Sequence, residues 1–180
     1  YPMFNRGKHI LEEYSPSSYA EYYISIDYGT LNPCSMGLWA VENDKAVRID
    51  EYYYDGRSKG VLKTDEEYYQ ALESLAGDKK IRYVIIDPSA SSFITCIRRH
   101  GKFVVRQARN SVIDGIRETA TLISSGKILI CKNCEGILKE FALYRWDERS
   151  AEDKVIKEHD HAMDDMRYFC YTILRNKLRR

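Results

Sequence analysis

The sequence predicts an α/β fold in which a three-stranded antiparallel meander continues into parallel strands, the mixed sheet being flanked by helices. Three observations predict it. Runs rich in β-branched and aromatic residues occupy 22–28, 35–42 and 46–54, and the link between the last two is short enough for a hairpin. From residue 64 onward short apolar runs alternate with helix-length amphipathic stretches, the alternation that gives parallel strands. The chain has 180 residues, 44% of them hydrophobic, enough for one sizeable core in a single domain.

Taken in order, 1–20 holds Pro2, Gly7, Pro16 and a Ser pair without any period, and is expected to be a linker or N-terminal arm; the domain proper is expected over 21–180. The run 22–28 stops at Gly29 and fits a central strand, with Asp27 at its end. Asn43-Asp44-Lys45 joins the other two strands of the meander. Thr64 and Glu67 have the spacing of a capping box, Tyr68, Leu72 and Leu75 form the apolar face of the helix they open, and Gly77 ends it. The run 82–87 follows a helix, so it is expected to lie buried and parallel to the first strand, with Asp87 at its C-terminal end. A helix from Pro88 and Ser89 to about His100, a strand at 103–106, a helix at 112–125, a strand at 128–131 and helices at 135–144 and 160–178 complete the order. There is no internal repeat.

Composition narrows the function classes. No stretch approaches the roughly 18 uninterrupted apolar residues that a membrane span needs, so no membrane partner is expected. The chain starts at Tyr1 without a basic and apolar leader, and is read as one domain cut from a longer protein. Five cysteines at irregular spacing suggest no disulfide framework and point to a reducing compartment; Cys131 and Cys134 are expected to be packing residues at a strand end. The net charge is +1, but between Arg98 and Lys139 nine basic residues face three acidic ones, which leaves the remainder of the chain acidic. A basic half beside acidic ends suits a polyanion binder with a cation site, and it also suits ordinary solvated helix faces.

The carboxylates carry the chemistry. An ionised carboxylate beside a core is costly unless it is paired or binds a cation. Asp27 and Asp87 both end strands expected to be buried. Asp87 also has a purely structural reading as a helix N-cap, because Pro88 follows it. On the last helix Asp160, His161, Asp164 and Asp165 fall within a turn of one another, while Met163, Met166, Phe169, Cys170 and Ile173 form an apolar stripe. A favourable helix dipole accounts for Asp160 but less well for the carboxylates deeper in the helix.

An Asp ending the first strand of the meander, another ending the next parallel strand and a third near the start of a C-terminal helix form an RNase H-like arrangement. The ordered set Ile24-Ser25-Ile26-Asp27-Tyr28-Gly29, Val84-Ile85-Ile86-Asp87-Pro88-Ser89, Val112-Ile113-Asp114-Gly115-Ile116 and His161-Ala162-Met163-Asp164-Asp165-Met166-Arg167-Tyr168 resembles the C-terminal nuclease domain of the large terminase subunit of tailed double-stranded DNA bacteriophages. The last piece is similar to that family's His-x-x-Asp-Ala-x-Arg-Tyr signature, with Asp165 in place of the usual small residue. The resemblance covers roughly 21–180. It implies an RNase H-like fold and metal-binding aspartates at Asp27, Asp87 and Asp164, with His161 beside them and Asp165 as an auxiliary ligand or a solvated carboxylate. It also implies cleavage of concatemeric double-stranded DNA in the host cell cytoplasm, an upstream ATPase domain, and a terminase small subunit and portal protein as partners. No G-x-x-x-x-G-K-[ST] occurs in the chain.

Phosphodiester hydrolysis needs a nucleophilic water, a stabilised extra negative charge and a stabilised leaving alkoxide, and two divalent cations about 4 Å apart meet all three needs. Oxygen ligands suit Mg²⁺ or Mn²⁺. Asp27 is the candidate bridging ligand, with Asp87 and Asp164 on one ion each and His161 orienting water or phosphate, or shuttling a proton. Arg106, Arg109 and Lys157 are candidate DNA contacts. Competing classes are a junction resolvase of the same fold, a non-catalytic DNA- or portal-docking module, and an actin-like ATPase or sugar kinase suggested by Asp27-Tyr28-Gly29-Thr30.

Overall fold

The computed structural model describes residues 1–147 and 160–178. The meander forms as expected: β2 (Glu21–Asp27), β3 (Cys34–Glu42) and β4 (Lys45–Tyr54) pair antiparallel in sequence, and Glu42 faces Lys45 across a two-residue turn. Asn43 and Asp44 both take positive φ, the conformation that suits a tight hairpin to right-twisted strands. β5 (Ile81–Ile86) runs parallel to β2 and β6 (Val105–Gln107) parallel to β5, while β7 (Ile128–Cys131) runs parallel to β4. With β1 (Ile10–Leu11) at one edge, the sheet order is β1-β7-β4-β3-β2-β5-β6.

The outer strand β1 comes from the segment expected to be an arm. It follows a one-turn helix α1 (Arg6–His9) and pairs parallel with β7. Phe4 is buried and stacks on Phe141 with ring centroids 3.8 Å apart, and the His9 ring meets the Ile123 carbonyl. Part of this segment is thus built into the sheet and core. Its lack of period reflects how little of it is regular, because two strand residues and one helical turn cannot display one.

The remaining helices are α2 (Gly56–Lys59), α3 (Asp65–Ala76), α4 (Ser91–His100), α5 (Val112–Ser124), α6 (Glu135–Asp147) and α7 (His161–Phe169), which continues through a π-helical turn, Cys170–Leu174, into α8 (Arg175–Lys177). Thr64 caps α3 by accepting from the Glu67 N–H, and Gly77 ends it with φ 58°. The helix expected from Pro88 starts at Ser91 instead. Its N-cap is Ala90, and Asp87 accepts the Ser89 N–H at 2.8 Å, so Asp87 braces the turn before the helix rather than capping the helix.

The two faces of the sheet carry separate cores. Ile24, Ile26, Leu38, Val84 and Ile86 pack with Tyr68, Leu72, Phe93 and Ile97 of α3 and α4. On the other face Tyr23, Trp39, Val47 and Ile85 pack with Leu122 of α5, Ile137 and Phe141 of α6, and Met163, Met166 and Phe169 of α7. Among the described residues no helix is long and apolar enough to cross a membrane.

Candidate active site

Strand parity decides which carboxylates meet. Alternate side chains leave a strand on opposite faces. Tyr23 and Ile85 face α7, so the positions two and four residues on, Ser25, Asp27 and Asp87, take that face too. Ile26 and Ile86 are paired in parallel register, which puts Asp27 and Asp87 at the same edge of the sheet on neighbouring strands. α7 packs on β2, β3 and β5 and brings His161 and Asp164 to that edge.

His161 Nδ1 and Asp27 Oδ2 share a hydrogen bond of 3.0 Å. Burial pushes the Asp27 carboxyl above the usual carboxylate range, and His161 only partly offsets it. For His161 burial acts in the opposite sense, yet the neighbouring Asp27 prevails and favours the protonated ring. Asp164 is pushed up to about 7, first by burial and then by the charges of Asp27 and Asp160, against the pull of Arg167. Arg167 Nη2 reaches Asp164 Oδ1 at 3.2 Å, and its Nη1 donates to the carbonyls of Asn110 and Ser111. Gly115 makes room for that arginine: a Cβ there would lie 2.8 Å from the Arg167 Cγ.

Asp87 differs from its neighbours. Burial works against its charge, but hydrogen bonds from Ser89, Asn110 and Tyr168 outweigh burial and hold it below the usual range. The buried Tyr168 phenol is kept protonated by burial and by the charges of Asp27, Asp164 and Asp87. Among the described residues, no three of Asp27, Asp87, His161 and Asp164 offer ligand atoms within 4.8 Å of one another.

Asp165, one residue beyond Asp164, lies on the other side of this division. It is 0% exposed, and both of its oxygens are occupied. Arg48 Nη1 donates to Oδ1 at 2.6 Å and Nη2 to Oδ2 at 3.1 Å; Ser25 Oγ and Ser35 Oγ add bonds of 2.7 and 2.6 Å. The Arg48 guanidinium passes over Gly37, where a Cβ would come within 2.1 Å of Nη1. The expectation of a solvated carboxylate at Asp165 is therefore corrected, because a buried guanidinium and two hydroxyls hold it in the core.

The start of α7 shows a second device. Asp160 stands at its N-cap but makes no capping hydrogen bond. The free N–H groups of Ala162 and Met163 are instead taken by Glu140 of α6, at 3.0 and 2.9 Å. Burial pushes Glu140 up to about 8. Sequence reasoning passes over Glu140, Arg48 and Asn110. Two of them carry a signal: Glu140 shares a helix face with Ile137 and Phe141, and Arg48 interrupts an apolar run between Val47 and Ile49.

Arg106 and Arg109 are exposed on β6 and the loop after it. Arg106 stacks over the Tyr83 ring, and the Arg109 N–H donates to Thr172 Oγ1 at 2.9 Å. Asn110, next in the chain, donates to Asp87 Oδ2 at 3.2 Å, so this basic loop borders the carboxylates. Lys157 lies outside the described residues. Cys131 and Cys134 are buried, and Cys134 Sγ meets the Arg48 carbonyl, in keeping with a packing role.

A family described as the terminase RNaseH-like domain matches residues 31–171. The large terminase subunit of Escherichia phage T5 is 29% identical over 148 residues, covering 73% of this chain and 33% of its own. The large terminase of a thermophilic bacteriophage, in a structure with ADP, aligns at 40% identity and a TM-score of 0.85 over 96% of this chain and 44% of that one. The large terminase nuclease of another thermophilic phage, G20c, in a structure with bound magnesium, matches in fold with a TM-score of 0.67 at 16% identity, over 93% of this chain and 94% of that one. The chain thus spans a third to under half of the two longer relatives. The chain belongs to the terminase RNaseH-like domain family, and its fold is that of a large-terminase nuclease domain.

Proposed function

We propose that this domain is the divalent-metal-dependent endonuclease of a DNA-packaging terminase large subunit, cutting concatemeric double-stranded DNA by phosphodiester hydrolysis. The observation that carries the proposal is that Asp27 and Asp87 follow each other at the ends of the parallel-paired strands β2 and β5 while α7, packed on both strands, sets His161 on Asp27 and carries Asp164 one turn further on; burial at a cost to the ionised forms of Asp27 and Asp164 agrees with it. A group buried with too little compensating charge suits a cation, and hard carboxylate oxygens suit Mg²⁺ or Mn²⁺.

Two-metal hydrolysis would place two ions about 4 Å apart at this end of the sheet. Asp27 would serve both ions, Asp87 one and Asp164 the other. When bound, such ions supply an activated water nucleophile and neutralise the charge of the transition state.

The chain's own groups do the rest. Arg167 and Tyr168 fix the orientations of Asp164 and Asp87. His161 holds a proton at Nδ1 toward Asp27. Arg106 and Arg109 are placed to hold DNA by its phosphates, and Lys157 remains a candidate contact. The upstream ATPase domain, the small subunit, the portal protein and the host cytoplasm belong to this proposal as well.

Plasmid cleavage tests it. The purified domain should nick or linearise DNA with Mg²⁺ or Mn²⁺, stop on chelation, and lose at least about 100-fold in rate with Asp164→Asn, a few kcal/mol of transition-state stabilisation. DNA binding without divalent-dependent cutting would make the domain a docking module instead.

A further inference from the structure

A second cluster of metal-ligating side chains lies on the opposite face of the sheet from the aspartates. Cys96 and His100 are four residues apart on α4, so both project from one side of the helix toward α3. Glu66 in the first turn of α3 meets them there. Its Oε1 lies 3.3 Å from Cys96 Sγ and 3.2 Å from His100 Nε2, and its Oε2 lies 2.9 Å from Nε2. The His100 ring stacks on Tyr69 with centroids 3.6 Å apart and planes within 5°, which holds Nε2 toward the carboxylate.

The separations from the carboxylate are close to those around a tetrahedral ion, and one ligand atom from each of the three residues lies within 4.8 Å of the other two. With metal–sulfur and metal–nitrogen bonds of about 2.3 and 2.05 Å, donors on a tetrahedron sit about 3.3–3.6 Å apart. Side-chain rotation that draws Cys96 Sγ and His100 Nε2 to this spacing closes the three donors on one cation. Their chemistry selects its class: a thiolate, an imidazole and a carboxylate suit Zn²⁺ or Co²⁺, whereas Mg²⁺ and Mn²⁺ favour oxygen ligands. Cys96 is largely buried, and burial and Glu66 push its thiol up to about 11. A bound cation would replace the thiol proton, which passes to solvent.

We propose that Glu66, Cys96 and His100 form a zinc-class site, separate from the aspartates, that clamps α3 to α4 and leaves the fourth position to water. The test is a Co²⁺ titration of the metal-stripped protein, followed by thermal melts with Zn²⁺. Thiolate ligation gives a cobalt charge-transfer absorption that carboxylate sites cannot produce. The expected result is one equivalent of this absorption, displaced by Zn²⁺ and abolished by Cys96→Ser, together with a rise in Tm on adding Zn²⁺ to the unaltered chain. His100→Ala, at the more exposed end, should weaken Co²⁺ binding at least about 100-fold, as loss of a direct ligand exceeds the 10- to 100-fold cost of losing an outer partner. It should leave Mg²⁺-dependent DNA cleavage unchanged. Absence of the charge-transfer absorption, or its full persistence in Cys96→Ser or His100→Ala, would overturn the site.

Discussion

Asp164 and Asp165 are consecutive residues of one helix, and the structure gives them opposite surroundings. Asp165 faces the sheet, where Arg48, Ser25 and Ser35 satisfy both of its oxygens in the core. Asp164 has one arginine contact at 3.2 Å and is pushed up to about 7 by burial and by the charges of Asp27 and Asp160. A helix turns by about 100° per residue, which is enough to separate a carboxylate that holds the fold from one that opposes it. Asp165 has its charge compensated by Arg48, whereas Asp164 is under-compensated, and it is on that difference that the cation site is proposed.

The largest effect expected from this difference is on stability. Asp165→Asn leaves the buried Arg48 without its main counter-ion and should cost about 3–5 kcal/mol, measurable by denaturant unfolding. The double change Arg48→Met with Asp165→Leu removes both charges and should recover part of that loss, the remainder being the cost of leaving Glu51 without its arginine partner. A loss under about 1 kcal/mol in Asp165→Asn would show that the pair is not holding α7 to the sheet.

A smaller effect concerns pH. Between about pH 4 and about 7 the folded metal-free protein binds a proton at Asp164 that the unfolded chain has released. Stability should therefore fall as pH rises through that window, and Asp164→Asn should flatten the slope. Some slope should remain, because Glu140, at about 8 in the fold, acts in the same direction. Urea midpoints across about pH 4–8 give the measurement; an unchanged slope in Asp164→Asn would mean that Asp164 is ionised throughout.

Tyr168→Phe removes a donor to Asp87 while keeping the ring. It should cost about 1 kcal/mol of stability and lower cleavage by weakening Asp87 positioning, which saturating metal should partly restore. Least of all, Arg106→Ala or Arg109→Ala should weaken DNA binding equally for all sequences and reduce the salt slope by about 1. A changed cleavage-site preference at constant affinity would contradict phosphate contacts.

Much of this arrangement is legible in the chain itself. Strand alternation and the Asn43-Asp44 turn fix the meander, and strand ends fix Asp27 and Asp87. Helical spacing places His161 and Asp164 together, but it cannot tell Asp164 from Asp165, because that choice depends on Arg48, 117 residues away, and on the space left by Gly37. Residues 1–20 are opaque for another reason. β1 is only two residues long and exists because β7 offers it an edge, a tertiary cause with no local pattern. The start of α4 is misplaced by sequence because Asp-Pro-Ser resembles a cap, whereas the Ser89 N–H closes the turn on Asp87 before the helix begins.

The contrast between the two aspartates is tested most directly by thermal melts of Asp164→Asn and Asp165→Asn with and without Mn²⁺. The account predicts that Asp164→Asn melts at the same temperature as the unaltered domain, or higher, without metal and gains less from Mn²⁺, since the repulsion it removes is the one metal relieves. Asp165→Asn should melt far lower without metal and keep most of the Mn²⁺-induced rise. The opposite assignment, with Asp164→Asn strongly destabilised or its Mn²⁺ response intact while that of Asp165→Asn is lost, would contradict it.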